Sequence, residues 1–507
     1  MNKKKSTRRN FLKQTAIGAA GITLLSCRSA EHNKSSQPNF ILIIADDTSV
    51  DDFGCYGHPH VRTPNIDNLA VNGIRFTNAY LSTSQCSPSR CSIISGRYPH
   101  NHGAPELHQP LPEGQPMFPL ELRKAGYYTV AAGKWHMGKY ARKAFDRVFD
   151  GGSFVEKVSN RLFGGGMGPG GEERWLQCLQ QRPKDKPFLM WFASKDAHRG
   201  WQKDELGEKH NKADAIIPPY MADMDGTRTD FAFYYDEIQR LDRYIGLVVK
   251  ELKKQKVFDN TVIMFMADNG RPFPRCKTWL YDSGIKTPFI VHWPQGISKP
   301  GDTSNSLLSA IDIAPTILEL ADLETPKALQ GISITPLLKD PKASIRNYIF
   351  AQRNWHDMEA HERMVRWGKW IYIRNARTNL ASWAHSLYNT RAYKNLFTLK
   401  KKSKLTPAQA DVFLVPRPAE MLFNVEKDYH QITNLAEQPE HNEILTQMRM
   451  LLDEWQSRTG DTIPDNLTKD VIDRKTYKQK THFSKPNRGI TPGSERNATN
   501  INDPGPR

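Results

Sequence analysis

Two apolar runs in this chain stop abruptly at hydrogen-bonding side chains. PNFILIIADD, residues 38–47, ends in Asp46-Asp47, and TVIMFMADNG, residues 261–270, ends in Asp268-Asn269-Gly270. A strand covered on both faces reads as a continuous apolar run, because neither side meets water. PFLMWFAS (187–194) and TPFIVHWP (287–294) are further strands of this kind. Between them, Ile238, Leu241, Ile245, Val248 and Leu252 recur at helical spacing and lead to Lys253-Lys254. Strands alternating with helices predict an α/β fold with a large central sheet. Ligand sites in such folds lie beyond the carboxyl ends of the strands, where Asp46, Asp47, Asp268 and Asn269 sit. All four are hard oxygen donors, a set suited to Ca²⁺, with Mg²⁺ the second choice, and not to zinc.

A third stretch, QCSPSRCSIISGR (85–97), places Cys86 ahead of a short helical run. Ser87 is the expected N-cap, Pro88 suits the first turn and Gly96 the C-terminal stop. Cys86 then lies at the positive end of a helix, with Arg90 one turn on, and both favour an anion.

At 507 residues the chain is long enough for two or three domains. Lys and Arg outnumber Asp and Glu by 71 to 54, a net charge of +17 that suits a polyanionic partner. No zinc-finger spacing or RNA-binding signature is present, so no nucleic acid is expected. The N-terminus has Arg8-Arg9, Phe11-Leu12-Lys13, a short apolar run and then Leu24-Leu25-Ser26-Cys27. This resembles a twin-arginine export signal ending in a lipobox, which implies cleavage after Ser26 and lipid on Cys27. The expected organisation is a signal peptide over 1–26, a tether over 27–37, a catalytic domain over 38–330, a smaller α+β subdomain over 331–465 and an extended tail over 466–507. The expected location is that of an exported bacterial lipoprotein, held to a membrane by its lipid and facing the periplasm or the cell surface. With six cysteines the chain is not a disulfide scaffold.

Cys86-Ser87-Pro88-Ser89-Arg90, continued by Ser95-Gly96-Arg97, resembles the signature of the type I sulfatases. The other landmarks of that family follow in order: Asp46-Asp47, Gly133-Lys134-Trp135-His136, Asp196-Ala197-His198, Asp268-Asn269-Gly270, and Lys277 ahead of Tyr281-Asp282-Ser283-Gly284. The resemblance implies an alkaline-phosphatase-like sulfatase fold, with a large mixed central sheet flanked by helices and a smaller C-terminal α+β subdomain. It also implies that Cys86 is converted to formylglycine by a formylglycine-generating or sulfatase-maturing enzyme, and that Asp46, Asp47, Asp268 and Asn269, with residue 86, hold Ca²⁺. In that scheme the hydrated formylglycine attacks sulfur and Arg90 steadies the diol and the metal carboxylates. Lys134 and Lys277 hold sulfate oxygens, His198 protonates the leaving alcohol, and His136 takes the proton that lets sulfate depart.

Finer features, CSPSR, LHQPLP (107–112), DAHRG (196–200) and DNGRPFPRCKTWLYDSGIKTP (268–288), resemble the sulfamidase-like branch. Lysosomal members of that branch carry arginine where this chain has Lys277. The expected substrate is a sulfated polysaccharide or its oligosaccharides, ulvan or another algal or glycosaminoglycan glycan. Three alternatives stand beside this reading: a formylglycine-dependent phosphonate or phosphodiester hydrolase, a non-catalytic glycan-binding lipoprotein, and a plain thiol nucleophile at Cys86 working with His136. His100 and His102 lie near the site in sequence and carry no assigned role.

Overall fold

The computed structural model describes residues 37–150, 171–201, 209–382, 385–476, 478–482 and 486–507. The export signal, Cys27 and residues 28–36 of the tether lie outside the described residues. Among the described residues no helix is long and apolar enough to cross a membrane.

Among the described residues, fourteen strands run in chain order: β1 (Asn39–Ala45), β2 (Ile74–Phe76), β3 (Ala79–Tyr80), β4 (Tyr128–Gly133), β5 (Arg147–Asp150), β6 (Phe188–Ala193), β7 (Thr261–Ala267), β8 (Phe289–His292), β9 (Thr303–Ser304), β10 (Leu308–Ser309), β11 (Tyr348–Arg353), β12 (Glu362–Trp367), β13 (Trp370–Asn375) and β14 (Glu420–Asn424). Eight form one mixed sheet in the order β5-β4-β6-β1-β7-β8-β2-β9. The first five of these lie parallel, and β8 runs against both β7 and β2. All seven residues of β1 and of β7 are buried, as their unbroken apolar runs require.

The two faces of the sheet feed separate cores. Phe40, Leu42 and Ile44 of β1 point into one, with Trp191, Met264 and Phe289. Ile41 and Ile43 point into the other, against Ile238, Leu241, Ile245 and Val248 of the helix Asp225–Lys254. Each fully buried side chain of this size contributes about 1.5–3 kcal/mol relative to exposure.

In the C-terminal part, β11–β14 form an antiparallel sheet covered by the helix Asn442–Thr459. Leu445, Met448, Leu452 and Trp455 of that helix pack on Phe350, Val365, Tyr372 and Leu422. Residues 38–507 make one compact unit.

The described part of the segment after 465 is not one extended strand: it forms turns, a bridge between Ile472 and Gln479 and short 3-10 helices at Ser494–Arg496 and Ala498–Asn500, and it is pinned at several points. Arg97 donates to the carbonyls of Thr499 (3.0 Å) and Ile501 (2.9 Å) and to Asn502 Oδ1 (2.9 Å). Arg488 pairs with Glu106 at 2.7 Å, and Val471 and Ile472 are buried. Its polar composition hid this anchoring, which depends on a few polar contacts and small apolar plugs.

Candidate active site

Four neighbouring parallel strands, in the order β4-β6-β1-β7, end on the same side of the sheet. β1 runs straight into Asp46 and Asp47, and β7 into Asp268 and Asn269, in register through Ala45 and Ala267. β4 leads to Lys134 and His136, and β6 to Asp196 and His198. Gly133 closes β4 with φ +104°, and a Cβ there would lie 1.8 Å from the Ala193 carbonyl oxygen. Only glycine lets β4 turn into the site beside β6.

The ten-residue helix Cys86–Ser95, buried throughout, lies over these strand ends. It starts at Cys86 with Gln85 as its extended cap, one residue earlier than expected, and stops at Gly96 in the left-handed region. Ser87 does not cap the helix. Its hydroxyl oxygen accepts the His108 N–H at 2.8 Å.

The oxygens of Asp46, Asp47 and Asp268 and the sulfur of Cys86 can all come within 4.8 Å of one another. Cys86 Sγ lies 3.9 Å from Asp46 Oδ1 and 3.8 Å from Asp47 Oδ1. Cations ring this acidic knot. Arg90 donates its Nε–H to Asp268 Oδ2 at 2.8 Å, and one of its terminal nitrogens lies 2.7 Å from the same oxygen as an ion pair. Lys134 pairs with Asp46. Lys277 Nζ reaches both oxygens of Asp47, at 2.7 and 2.8 Å. Asn269 donates to Asp47 Oδ1 at 2.6 Å, while its own buried side-chain oxygen has no hydrogen-bond partner among the described residues.

Electrostatics separates the acids. Burial, reinforced by Asp268, raises the Asp46 carboxyl far above its usual range. Burial would also raise Asp47, but Lys277, His198 and Lys134 outweigh it and hold that carboxyl well below the usual range. Burial pushes the Cys86 thiol up to about 12. Burial thus disfavours the thiolate form of Cys86.

Asp46, Asp47, Cys86, Arg90, Lys134, Asp268, Asn269 and Lys277 are linked by these contacts, whereas Cys27 lies outside the described residues. His198 sits at the mouth of this locus, its side chain 43% exposed and Nε2 3.9 Å from Asp47 Oδ2. His136 follows Lys134 in the loop after β4 and contacts His108 at 2.7 Å. Asp47, His108 and His136 all have positive φ (56°, 66° and 59°), a strained conformation common at working sites. His100 and His102 do support instead. His100 bonds Thr459 and Gln352, and His102 bonds the Pro88 carbonyl and Ser92.

Several contributors carried no local signal. Arg240 of the long helix clamps Asp196, whose carbonyl in turn accepts the Asp46 N–H at 2.8 Å. From the C-terminal part, Trp355 and Met358 pack with Cys86 in one buried cluster, and Asn354 accepts from Gln85 at 2.7 Å. Only the fold brings these together. His108 lay within the quoted LHQPLP segment, so its residue type was the one available hint.

Comparison with known proteins agrees with the geometry. The Sulfatase family profile matches residues 38–323, and "N-sulphoglucosamine sulphohydrolase, C-terminal" matches residues 275–404. An ulvan-active sulfatase of Formosa agariphila is 29% identical over 455 residues, 85% of this chain and 82% of its own length. Human N-sulphoglucosamine sulphohydrolase is 26% identical over 86% of this chain and 93% of its own. A solved structure in complex with its substrate, D-glucosamine-2-N,6-O-disulfate, shares the fold with a TM-score of 0.62 at 19% identity, over 83% of this chain and 98% of that one. The match over more than half of the chain, with the strand-end acids and Cys86 gathered as described, places this protein in the sulfatase family, as a sulfuric ester hydrolase.

Proposed function

We propose that the protein removes sulfate from a sulfated polysaccharide or its oligosaccharides, such as ulvan or another algal or glycosaminoglycan glycan, using a formylglycine made from Cys86 and a bound Ca²⁺. The observation that carries this reading is the convergence of Asp46, Asp47 and Asp268 on Cys86. The donor set fits calcium. Three carboxylates and the unpartnered Asn269 oxygen are hard ligands, and the one soft donor, Cys86 sulfur, is the atom that conversion to formylglycine replaces by oxygen. When bound, the ion supplies Lewis acidity and a template for a sulfate oxygen, and the oxidised residue supplies an oxygen nucleophile.

The chain's own side chains do the rest. Arg90 is fixed on Asp268 and directs its charge at residue 86. Lys134 and Lys277 draw sulfate oxygens onto the acidic knot and balance its charge. His198, at the solvent-facing mouth, protonates the departing sugar oxygen, and His136 takes up the proton released at position 86. Trp355 and Met358, from the C-terminal part, pack with Cys86 in one buried cluster and hold it in place.

The glycan class is supported by the ulvan-active and N-sulphoglucosamine relatives and by the excess of 71 basic over 54 acidic residues. The proposal includes twin-arginine export, lipid on Cys27, a membrane-anchored location and maturation by a dedicated enzyme of the host. Incubation with a panel of sulfated oligosaccharides, with free sulfate read by ion chromatography, tests it. Release from glycans supports the reading. Release confined to small aryl sulfates contradicts the glycan assignment, and preferential turnover of a matched phosphodiester contradicts the sulfatase chemistry.

A further inference from the structure

His108 meets His136 through one nitrogen each, Nδ1 against Nε2 at 2.7 Å, with ring centroids 4.8 Å apart. The other ring nitrogen of His136, Nδ1, is buried and has no hydrogen-bond partner among the described residues. The His108 backbone N–H is tied to Ser87, the residue after Cys86, so the loop carrying His108 is registered to the nucleophile helix. Burial, followed by the charges of His356, Arg488, Lys134 and Lys277, pushes His108 down to about 4. Burial, Lys134, His108, Arg90 and Lys277 hold His136 well below its ordinary value. Both shifts favour the neutral ring.

Two neutral imidazoles facing through one nitrogen each can share a single proton, so one donates and the other accepts. If His108 donated from Nδ1, His136 would accept at Nε2 and carry its own proton on Nδ1. It could then accept no proton at Nδ1. If His136 donates from Nε2, its Nδ1 keeps a lone pair. Only the second arrangement makes His136 a base at its unpartnered nitrogen.

We propose that His108 is a positioning residue that accepts the Nε2–H of His136, holding that ring in the tautomer whose Nδ1 can take a proton from a hydroxyl at position 86. In that transfer the hydroxyl O–H bond breaks, its electron pair stays on oxygen, and the proton adds to Nδ1. The imidazolium keeps its Nε2–H on His108. The inference rests on the reading of His136 as the base.

Two substitutions separate positioning from packing. His108→Asn places a side-chain oxygen near the Nδ1 position and tolerates φ +66°; His108→Gly tolerates that φ and removes the acceptor. Histidine-selective ¹⁵N NMR of the metal-free, unmodified protein reads the tautomer without any turnover. The expected result is His136 protonated at Nε2 in the parent and in His108→Asn, and a tautomer mixture in His108→Gly. In the matured enzyme, His108→Gly lowers kcat roughly 100-fold with KM nearly unchanged, and His108→Asn restores most of it. His136 protonated at Nδ1 in the parent overturns the proposal, as does an Asn variant no better than Gly. A His136→Ala enzyme that still releases sulfate at the parental rate overturns both the base assignment and this inference. An inactive His136→Ala enzyme combined with an unchanged His136 tautomer in His108→Gly overturns the positioning role alone.

Discussion

Arg90 donates its Nε–H to Asp268 Oδ2 at 2.8 Å, a terminal nitrogen of Arg90 lies 2.7 Å from the same oxygen as an ion pair, and neither side chain is exposed to solvent. One residue comes from the helix Cys86–Ser95 and the other follows the end of β7, so the pair fastens the helix to the sheet beside the acidic knot. Removing one member of a buried pair strands the other charge, which costs about 3–5 kcal/mol. Arg90→Met is expected to lose stability of that order in urea unfolding and to lose sulfate release. A loss below about 1 kcal/mol would show that the pair does not lock the helix in place.

Removal of divalent ions is expected to silence the enzyme and to lower its melting temperature. Calcium at one hundred times its dissociation constant should restore about 2.7 kcal/mol of stability, because it binds the folded acids alone. Differential scanning fluorimetry in chelator, followed by calcium or zinc back-titration, checks this. Full activity in excess chelator contradicts the assignment of Asp46, Asp47, Asp268 and Asn269 as ligands.

Gly133→Ala tests the turn that delivers Lys134 and His136. The added methyl would meet the Ala193 carbonyl at 1.8 Å, and the backbone there sits at φ +104°. The conformation alone costs roughly 1–3 kcal/mol, and relief of the overlap must push β4 away from β6. The expected outcome is lower thermal stability and a kcat reduced at least about tenfold, since misplacement by an ångström is costly in catalysis. Unchanged kcat would mean that the turn does not set the site.

Acid should unfold the protein through buried histidines remote from the catalytic cations. Burial depresses His100 to about 4, His102 to about 3 and His361 to about 3. Each binds its proton more weakly in the folded chain than in the unfolded one. Their contribution to stability is therefore complete above the unfolded value of about 6.5 and is lost as pH falls from there towards 3–4. Three such groups together cost up to about 4 kcal/mol per pH unit within that window. Urea midpoints measured from pH 7 to pH 4 should fall steeply, and His361→Gln should flatten the slope. A profile flat to pH 4 contradicts this.

The strand-end acids were legible because β1 and β7 are buried on both faces and break off at carboxylates, a pattern that polarity alone exposes. The Cys86 motif was legible because its spacing is local. The contact of His108 with His136 was not, because it depends on two left-handed residues in loops that meet only after folding. A mixed sheet was expected from the family resemblance, but that β8 is its antiparallel member was not legible, since a buried run reads the same either way. Ser87 looked like a helix cap by type, yet its hydroxyl serves a distant loop, so tertiary contact overrode local preference. The tail after 465 read as polar and loose, and its hold on Arg97 and Glu106 comes from backbone carbonyls and single side chains that no periodicity marks.

The most direct test is a mass spectrum of the peptide containing residue 86, taken from active protein made in a host that carries the maturing enzyme. The account predicts an aldehyde, or its hydrate, in place of the thiol, with sulfate release proportional to the converted fraction. Fully active protein with an intact thiol at Cys86 would contradict it.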